Sequence, residues 1–454
     1  MRNPLPPSLI DSIKDAPGFD KGAFERIHAS EEQVTAIRNN PLKTAELPMP
    51  GSQILWTRHG YYLDTRPSFT FDPLFHAGCY YVQEPSSMFL EQALNQTVDL
   101  TQPLKILDLS AAPGGKSTHI QSLISTESML VSNEVIRARA NILKDNIIKW
   151  GAGNVVVTCN DPKDFARLEG FFDVIVVDAP CSGSGLFRRE PEAIDEWSLN
   201  NVALCSQRQQ RILFDAWPAL KEGGIVIYST CSYSVEENER IMDWMLKELG
   251  VESLPLKVDH AWGITTTTST NGAIGYRFWP DKLKGEGFFI ACFRKTGYTE
   301  ELRKQKIRSG LERLTKREME VIKKWVRDSD DQYFRHENTN YAWPTNHADD
   351  FHLLLSNNRV VYSGVRIGEL MRDKLVPDHA LSMSSLVSDS IGRVEVSYEQ
   401  AIRYLQRKEL DIETPSKGWQ LVIYKSHALG WINVLPNRIN NYYPKELRIL
   451  KETS

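Results

Sequence analysis

The sequence predicts an α/β protein whose centre is an open, mainly parallel sheet covered by helices. Three observations carry that reading. Between Lys105 and Thr230, short β-branched runs alternate with helical stretches, as parallel strands joined by crossover helices require. One run, Phe172–Val177, is nearly all apolar, which suits a strand covered on both faces. Acids, glycine turns and a proline–cysteine step follow these runs, at the strand ends where open α/β sheets bind ligands.

The elements follow in order. The first eighty residues mix two short helices (Leu9–Ile13 and Gly22–Ile27), a strand-like Thr35–Arg38 and a hairpin-like Gln53–Leu63. Lys105–Leu109 is the first strand of the central sheet, and a Pro/Gly turn leads from it into a helix over Lys116–Ser125. Ser128–Val135 is the second strand. Arg137–Trp150 has Ala138 and Ile142, then Leu143 and Ile147, at helical spacing, and Gly151 stands where a helix C-cap belongs. Asn154–Cys159 and Phe172–Val177 are the next strands. The long segment Leu199–Leu220 precedes Gly223-Gly224 and another strand. Ser234-Val-Glu-Glu237 matches a capping box and predicts a helix over Val235–Leu249. Gly287–Arg294 is a late strand. Nearly all these apolar positions are expected to be core.

Composition narrows the class. A chain of 454 residues should form two to four domains. Its 41% hydrophobic and 25% charged residues are those of a soluble globular protein. The net charge of −4 offers nucleic acid no global attraction, so RNA contacts must use local basic patches. No apolar run is long enough to span a bilayer, and the start lacks the apolar stretch of a secretory leader. The six cysteines, at 79, 159, 181, 205, 231 and 292, show no repeated CxxC spacing. No zinc site and no disulfide framework is therefore expected, and a reduced cytoplasmic setting fits.

The first strand–turn–helix, Asp108-Leu-Ser-Ala-Ala-Pro-Gly-Gly-Lys-Ser117, carries a cofactor signal. Small residues let the backbone approach a ligand, and the helix start offers free N–H groups. Gly115-Lys116-Ser117 matches the end of a phosphate-binding P-loop, but the first glycine of that pattern falls on Ser110 and Pro113 removes a donor. A nucleoside suits the site better. Ser110, Ala111, Ala112, Pro113, Gly114, Gly115 and Lys116 form the loop, Glu134 is placed for ribose hydroxyls, Asp161 for the adenine edge, and Asp178 follows on the next strand. Each acid alone reads as a helix cap or surface charge; their regular placement is what S-adenosylmethionine sites use.

Two cysteines carry the chemistry. Cys181 lies in Asp178-Ala-Pro-Cys-Ser-Gly-Ser-Gly185 and Cys231 in Tyr228-Ser-Thr-Cys-Ser232, each just after a strand, so both sulfurs should face one cleft beside Asp178. Two thiols and a carboxylate can add to an electrophilic ring and later release it, the chemistry of cytosine C5 methylation. A thiolate adding to C6 makes C5 nucleophilic toward a sulfonium methyl group. Asp178 is the candidate for assistance at N3, and a second acid/base group is useful for release. Residue chemistry leaves open which sulfur attacks. The other four cysteines read as buried structural thiols.

These motifs, in this order, resemble the RNA 5-methylcytosine methyltransferases. The resemblance extends upstream to Tyr81-Val-Gln-Glu-Pro-Ser-Ser-Met88 and downstream to Glu236-Glu-Asn238 and Gly285-Glu-Gly-Phe-Phe289. In the tail, Val361-Tyr-Ser-Gly-Val-Arg-Ile-Gly-Glu-Leu370 and Asn440-Asn-Tyr-Tyr-Pro-Lys-Glu-Leu447 are similar to the branch that methylates a 16S rRNA cytosine. The resemblance implies a Rossmann-like class I S-adenosylmethionine-dependent methyltransferase core over residues 81–296. It implies an N-terminal α+β RNA-binding domain over residues 1–80, with Arg38 and Asn40 in its Ile-Arg-x-Asn pattern, and a PUA-like β-barrel that binds RNA over residues 386–454. It assigns the nucleophile to Cys231 and release to Cys181.

Between these parts, residues 297–385 begin with a basic stretch, Leu302–Arg327, that includes Arg303, Lys304, Lys306, Arg308, Arg313, Lys316, Arg317, Lys323, Lys324 and Arg327. It reads as a solvated helix face or a phosphate-binding one. The tail from Glu399 is expected to serve RNA and to leave the cofactor site standing without it. The expected protein is a cytoplasmic, monomeric methyltransferase acting on 16S rRNA in the small ribosomal subunit. The alternatives are another rRNA cytosine, a tRNA cytosine, or a silent RNA-binding assembly factor.

Overall fold

The structure is a computed structural model that describes residues 4–30, 32–43, 49–297, 310–414 and 416–452. Helices Pro7–Ile13 and Lys21–Ala29 open the chain, the second capped by Asp20, which accepts the Ala23 N–H at 2.9 Å. Strands β1 (Ala36–Asn39), β2 (Gly51–Gln53), β3 (Gly60–Leu63) and β4 (Tyr80–Val82) form an antiparallel sheet in the order β2-β3-β1-β4.

The central sheet contains β5 (Lys105–Asp108), β6 (Met129–Asn133), β7 (Val155–Thr158), β8 (Phe172–Asp178) and β9 (Leu220–Thr230), parallel and ordered β9-β8-β5-β6-β7. Beyond them lie β10 (Val251–Ser253), β11 (Thr265–Thr268), β12 (Ile274–Phe278) and β13 (Phe288–Lys295), with β13 antiparallel to β9 and β12 and β11 following outward. The chain runs from β5 to β6 and β7 on one side, then returns to lay β8 on the other side of β5. That reversal opens a crevice at the carboxyl ends of β5 and β8.

The C-terminal part holds β14 (Glu312–Arg313), β15 (Asp331–His336), β16 (Thr339–Pro344), β17 (Val360–Ser363), β18 (Val365–Met371) and β19 (Lys374–Pro377). Five of these form an antiparallel sheet, β14-β15-β16-β18-β19. Strand β17 leaves it and pairs antiparallel with β7, Val360 opposite Thr158 and Ser363 opposite Val156, so it extends the central sheet. Gly364, at φ 55°, makes the turn between the two sheets and donates its N–H to the Val155 carbonyl at 3.0 Å. A Cβ there would lie 2.3 Å from the Ala342 carbonyl oxygen, which explains the glycine. A last sheet joins β20 (Arg393–Glu395), β21 (Gly418–Tyr424), β22 (His427–Leu435) and β23 (Arg438–Asn441) in that order.

The tail is packed into the rest of the fold: Val422, Leu429, Ile432, Ala401 and Tyr404 share one buried core with Ile37, Leu63, Cys79 and Tyr80 of the N-terminal part. Two expectations change here. The basic stretch is not one helical face among the described residues. Its helix covers only Lys316–Ile322, Arg313 lies in β14, and Arg317 and Arg327 pair with Asp373 and Asp389 at 2.5 and 2.7 Å. Arg303, Lys304, Lys306 and Arg308 fall outside the described residues. The helix expected over Val235–Leu249 divides into a single turn, Val235–Glu237, and a helix, Glu239–Glu248, and the Ser234 side chain makes no capping bond. Glu237 has been drawn elsewhere by tertiary partners.

Candidate active site

The cofactor loop runs from the end of β5 to the helix Gly115–Leu123. Ala111 donates its N–H to the Asn133 carbonyl at 2.8 Å, Arg139 donates to the Ala112 carbonyl at 3.0 Å, and Asn146 to the Pro113 carbonyl at 2.8 Å. Gly114, at φ 119°, turns the chain into the helix, and no side chain caps the first N–H groups. Those donors stay available to an anion. The Asn133 side chain joins the ends of three strands: its amide donates to the Leu109 and Asn160 carbonyls, and its oxygen accepts from Thr158 and from the Asn160 N–H.

The acids predicted at successive strand ends lie along this edge. Glu134 is buried; it accepts the Ile136 N–H at 3.0 Å and pairs with Arg139 at 3.3 Å. Asp161, half-buried, caps the turn Pro162–Arg167 by accepting the Lys163 N–H at 3.2 Å. Neither touches the cysteines. Asp108 was not singled out by the sequence. It is fully buried, one oxygen accepts the Ser117 hydroxyl at 2.6 Å, and the other has no hydrogen-bond partner. Burial pushes its pKa up to about 7, with Asp178 and Glu134 adding and Ser117 and Lys116 opposing. Uncapped N–H groups suit the carboxylate of S-adenosylmethionine, an orphaned carboxylate oxygen suits a cationic or hydroxyl donor, and the loop therefore fits that cofactor.

At the crevice the structure brings Cys181, Cys231, Asp178 and Lys116 together. The two sulfurs stand 3.0 Å apart. Lys116 Nζ lies 2.7 Å from Asp178 Oδ2, and Ser229 donates to Asp178 Oδ1 at 2.8 Å. Burial alone would lower the Lys116 pKa; Asp178, Asp108 and the nearby Cys231 outweigh it and raise the pKa. The Cys181 thiol is raised well above its ordinary value by its bond to Cys231, then by burial and by the charges of Cys231 and Glu237. Three loops meet tightly behind the sulfurs: the Gly185 N–H donates to the Cys231 carbonyl at 2.8 Å and the Gly287 N–H to the Gly185 carbonyl at 3.1 Å. A Cβ on Gly185 would meet the Gly287 oxygen at 2.4 Å. Glu84, from the segment after β4, accepts the N–H groups of Ser86, Ser87 and Glu286 and so ties that segment to the same junction.

Arg38 and Asn40 are both fully buried. Arg38 donates to Gln83, Thr118, Ser122 and the Gly115 carbonyl, and lies over the Trp150 ring at 4.7 Å. Burial lowers its pKa to about 9. Asn40 donates to the Gly78 and Trp150 carbonyls. Arg38 locks the N-terminal sheet onto the cofactor helix, and Asn40 ties it to the end of the following helix, Arg137–Trp150. A cation in a strand reads from sequence as a surface group, and only the fold shows what it reaches.

The strand order, with antiparallel strands β13 and β17 set against the two flanks of the parallel five, and the paired thiols at the crevice define the class: an S-adenosylmethionine-dependent methyltransferase. Comparison with known proteins narrows it. The family described as "16S rRNA methyltransferase RsmB/F" matches residues 95–294, the N-terminal domain of 16S rRNA methyltransferase RsmF matches residues 5–85, and the methyltransferase RsmF PUA domain matches residues 392–449. The ribosomal RNA small subunit methyltransferase F of Psychromonas ingrahamii is 30% identical, over 87% of this chain and 85% of its own length. That of Pectobacterium atrosepticum is 34% identical, over 64% of this chain and 63% of its own. Among solved structures, a methyltransferase homolog from Pyrococcus horikoshii matches with a TM-score of 0.51 and 28% identity, covering 64% of this chain and all (100%) of its own. NSun6 from the same organism, solved with SFG, matches with a TM-score of 0.55 over 65% of this chain and 99% of its own; at 20% identity it supports the fold. The chain belongs to the RsmB/F family of 16S rRNA methyltransferases.

Proposed function

We propose that this protein methylates C5 of a cytosine in 16S rRNA of the small ribosomal subunit, with Cys231 as nucleophile and Cys181 as the group that releases the product. The observation that carries the reading is the 3.0 Å separation of the two sulfurs beside the Lys116–Asp178 pair. The bound cofactor supplies an electrophilic methyl group on a sulfonium. Ser110, Ala111, Ala112, Pro113, Gly114, Gly115 and Lys116, with Asp108, Glu134, Asp161 and Asp178 along the strand ends, are the residues that would hold it. The Cys231 sulfur adds to C6 of the base. Asp178 already accepts from Lys116 and Ser229, so a proton directed toward N3 comes from the Lys116–Asp178 pair rather than from a lone carboxylic acid.

Release follows from the coupling of the sulfurs. The bond to Cys231 is the largest cause that keeps Cys181 protonated. Once the Cys231 sulfur is bonded to C6 it carries no negative charge and no proton. The bond and the charge it imposed on Cys181 are gone, and Cys181 ionises more easily. Having lost its proton to solvent, the Cys181 thiolate takes the proton from C5. The C5–H electrons form the C5=C6 double bond, the S–C6 electrons leave with the Cys231 sulfur as a thiolate, and the N3 proton returns to the Lys116–Asp178 pair. This reading has the enzyme act in the cytoplasm as a monomer; no helix among the described residues is long and apolar enough to cross a membrane.

The test is covalent trapping on 16S rRNA. Cys181→Ala should attack, transfer the methyl group and stall as an RNA adduct that survives denaturing electrophoresis, whereas Cys231→Ala should give neither product nor adduct. The reverse pattern would exchange the two roles, and bisulfite mapping of rRNA from cells with and without the protein locates the base.

A further inference from the structure

The steps above use two sulfurs and one ion pair, and leave unused a fully buried carboxylate beside both cysteine loops. Glu237 Oε1 accepts the Ser182 N–H at 2.8 Å and the Gln209 side-chain amide at 3.2 Å. Its Oε2 accepts the hydroxyls of Ser182 and Ser232, each at 2.5 Å. Ser182 follows Cys181 and Ser232 follows Cys231, so a single carboxylate grips the chain immediately after each sulfur. The two loops come from different strands, β8 and β9. The next residue, Asn238, extends the grip: it accepts the Thr230 hydroxyl at 2.7 Å and donates to the Ser232 carbonyl at 2.8 Å.

We propose that Glu237 is a positioning residue that holds Cys181 and Cys231 in register for attack and release. A buried carboxylate is costly unless its lone pairs are filled, and here four donors fill them. Burial raises the Glu237 pKa while Ser182, Ser232 and Gln209 oppose it. Without the carboxylate, both serine hydroxyls and one backbone N–H lose their acceptor. The two loops are then joined by the Gly185 N–H bond to the Cys231 carbonyl, by the Tyr233 N–H bond to the Ser184 hydroxyl at 3.0 Å, and by long contacts of the Ser232 hydroxyl with Ser182 and Ser184 at 3.3 and 3.5 Å. Of these, none but the Ser182 contact engages a residue directly after a sulfur on both loops. This role rests on the proposed function, because it concerns the same two sulfurs.

Sulfur proximity can be read without RNA. Diamide takes two hydrogens from two thiols and leaves a hydrazine and a disulfide, so the rate of Cys181–Cys231 crosslinking, with Cys181→Ala as the blank, reports how well the loops are held. Glu237→Ala should slow crosslinking by at least about tenfold, the scale of one hydrogen bond to a charged group. Turnover number on 16S rRNA should fall in parallel, with the KM for RNA and the affinity for S-adenosylmethionine unchanged. Glu237→Gln should recover most of both, because its oxygen can accept the Ser182 N–H while its amide nitrogen donates to the serine hydroxyls. Wild-type crosslinking in Glu237→Ala overturns the proposal, and so does a Glu237→Gln protein as impaired as Glu237→Ala, which would make the charge the active property. If Glu237→Ala does not fold, Ser182→Ala and Ser232→Ala decide: slowed crosslinking in either supports the clamp, and wild-type rates in both refute it. Intact crosslinking in the wild type with no turnover on any RNA would count against the proposed function alone.

Discussion

Asp108 makes the cofactor site sensitive to pH in the free protein. Its carboxyl is fully buried with a single donor, Ser117, and burial moves its pKa from 3.8 to about 7. Below about pH 4 both folded and unfolded chains hold the proton, and above about pH 7 neither does. Between these limits the folded chain keeps a proton that the unfolded chain has lost, so stability falls as pH rises. A shift of about three units at ~1.4 kcal/mol each sets the loss at no more than about 4 kcal/mol across the window. Asp108→Asn keeps an acceptor for Ser117 and cannot ionise. Urea unfolding of the cofactor-free protein at several pH values should therefore show the variant gaining on the wild type up to about pH 7, then running parallel to it. S-adenosylmethionine, whose donors suit the ionised acid, should bind the wild type more tightly as pH rises through the same window and bind the variant with less pH dependence. Curves for the two proteins that stay parallel from about pH 4 to about pH 7 would refute the assignment of a raised pKa to Asp108.

Two further outcomes follow from the packing. Removing Glu399–Ser454 strips one half of the core shared with Ile37, Leu63 and Tyr80, so the truncated chain should melt at lower temperature and bind S-adenosylmethionine more weakly, because Arg38 on β1 also holds the cofactor helix. Unchanged melting and calorimetric affinity would show the tail to be separable after all. Glu134→Gln should weaken S-adenosylmethionine binding by about 1–3 kcal/mol, and Asp161→Asn by less, since Glu134 is buried and Asp161 is half-buried. Equal calorimetric affinities for both variants and the wild type would remove these acids from the site.

Much of the central sheet was legible because its signals are local. Arg137–Trp150 is a helix over the predicted bounds and ends at Gly151, as its C-cap glycine indicates. Leu143 and Ile147 are core as expected, whereas Ala138 and Ile142 are exposed, and the buried face runs through Ala140 and Ile148 instead. The apolar run of β8 is buried along nearly its whole length. What local signals could not show is competition from distant partners. Ser234 and Glu237 have the spacing of a capping box, yet Ser182 and Ser232 offer Glu237 stronger bonds than the helix end does. The serine after each cysteine was the available sign of a shared acceptor. Asp108 was visible as a strand-ending acid in the cofactor motif, but its missing partner is a property of the packed site alone. Strands β11 and β12 and the return of β17 to the central sheet passed unnoticed, since threonine runs and a short Val-Val-Tyr-Ser segment do not announce which sheet they join.

The pairing of β17 with β7 has a consequence for biogenesis. On a ribosome the chain emerges from its N-terminus, so the methyltransferase strands are complete well before Val360 appears. Until then β7 presents its open flank of amide and carbonyl groups, an apolar Val-Val-Val segment ready to recruit any extended chain nearby. Synthesis of the second half is thus also what protects the first, and a stalled or clipped nascent chain ending before β17 would be an aggregation seed rather than a smaller enzyme.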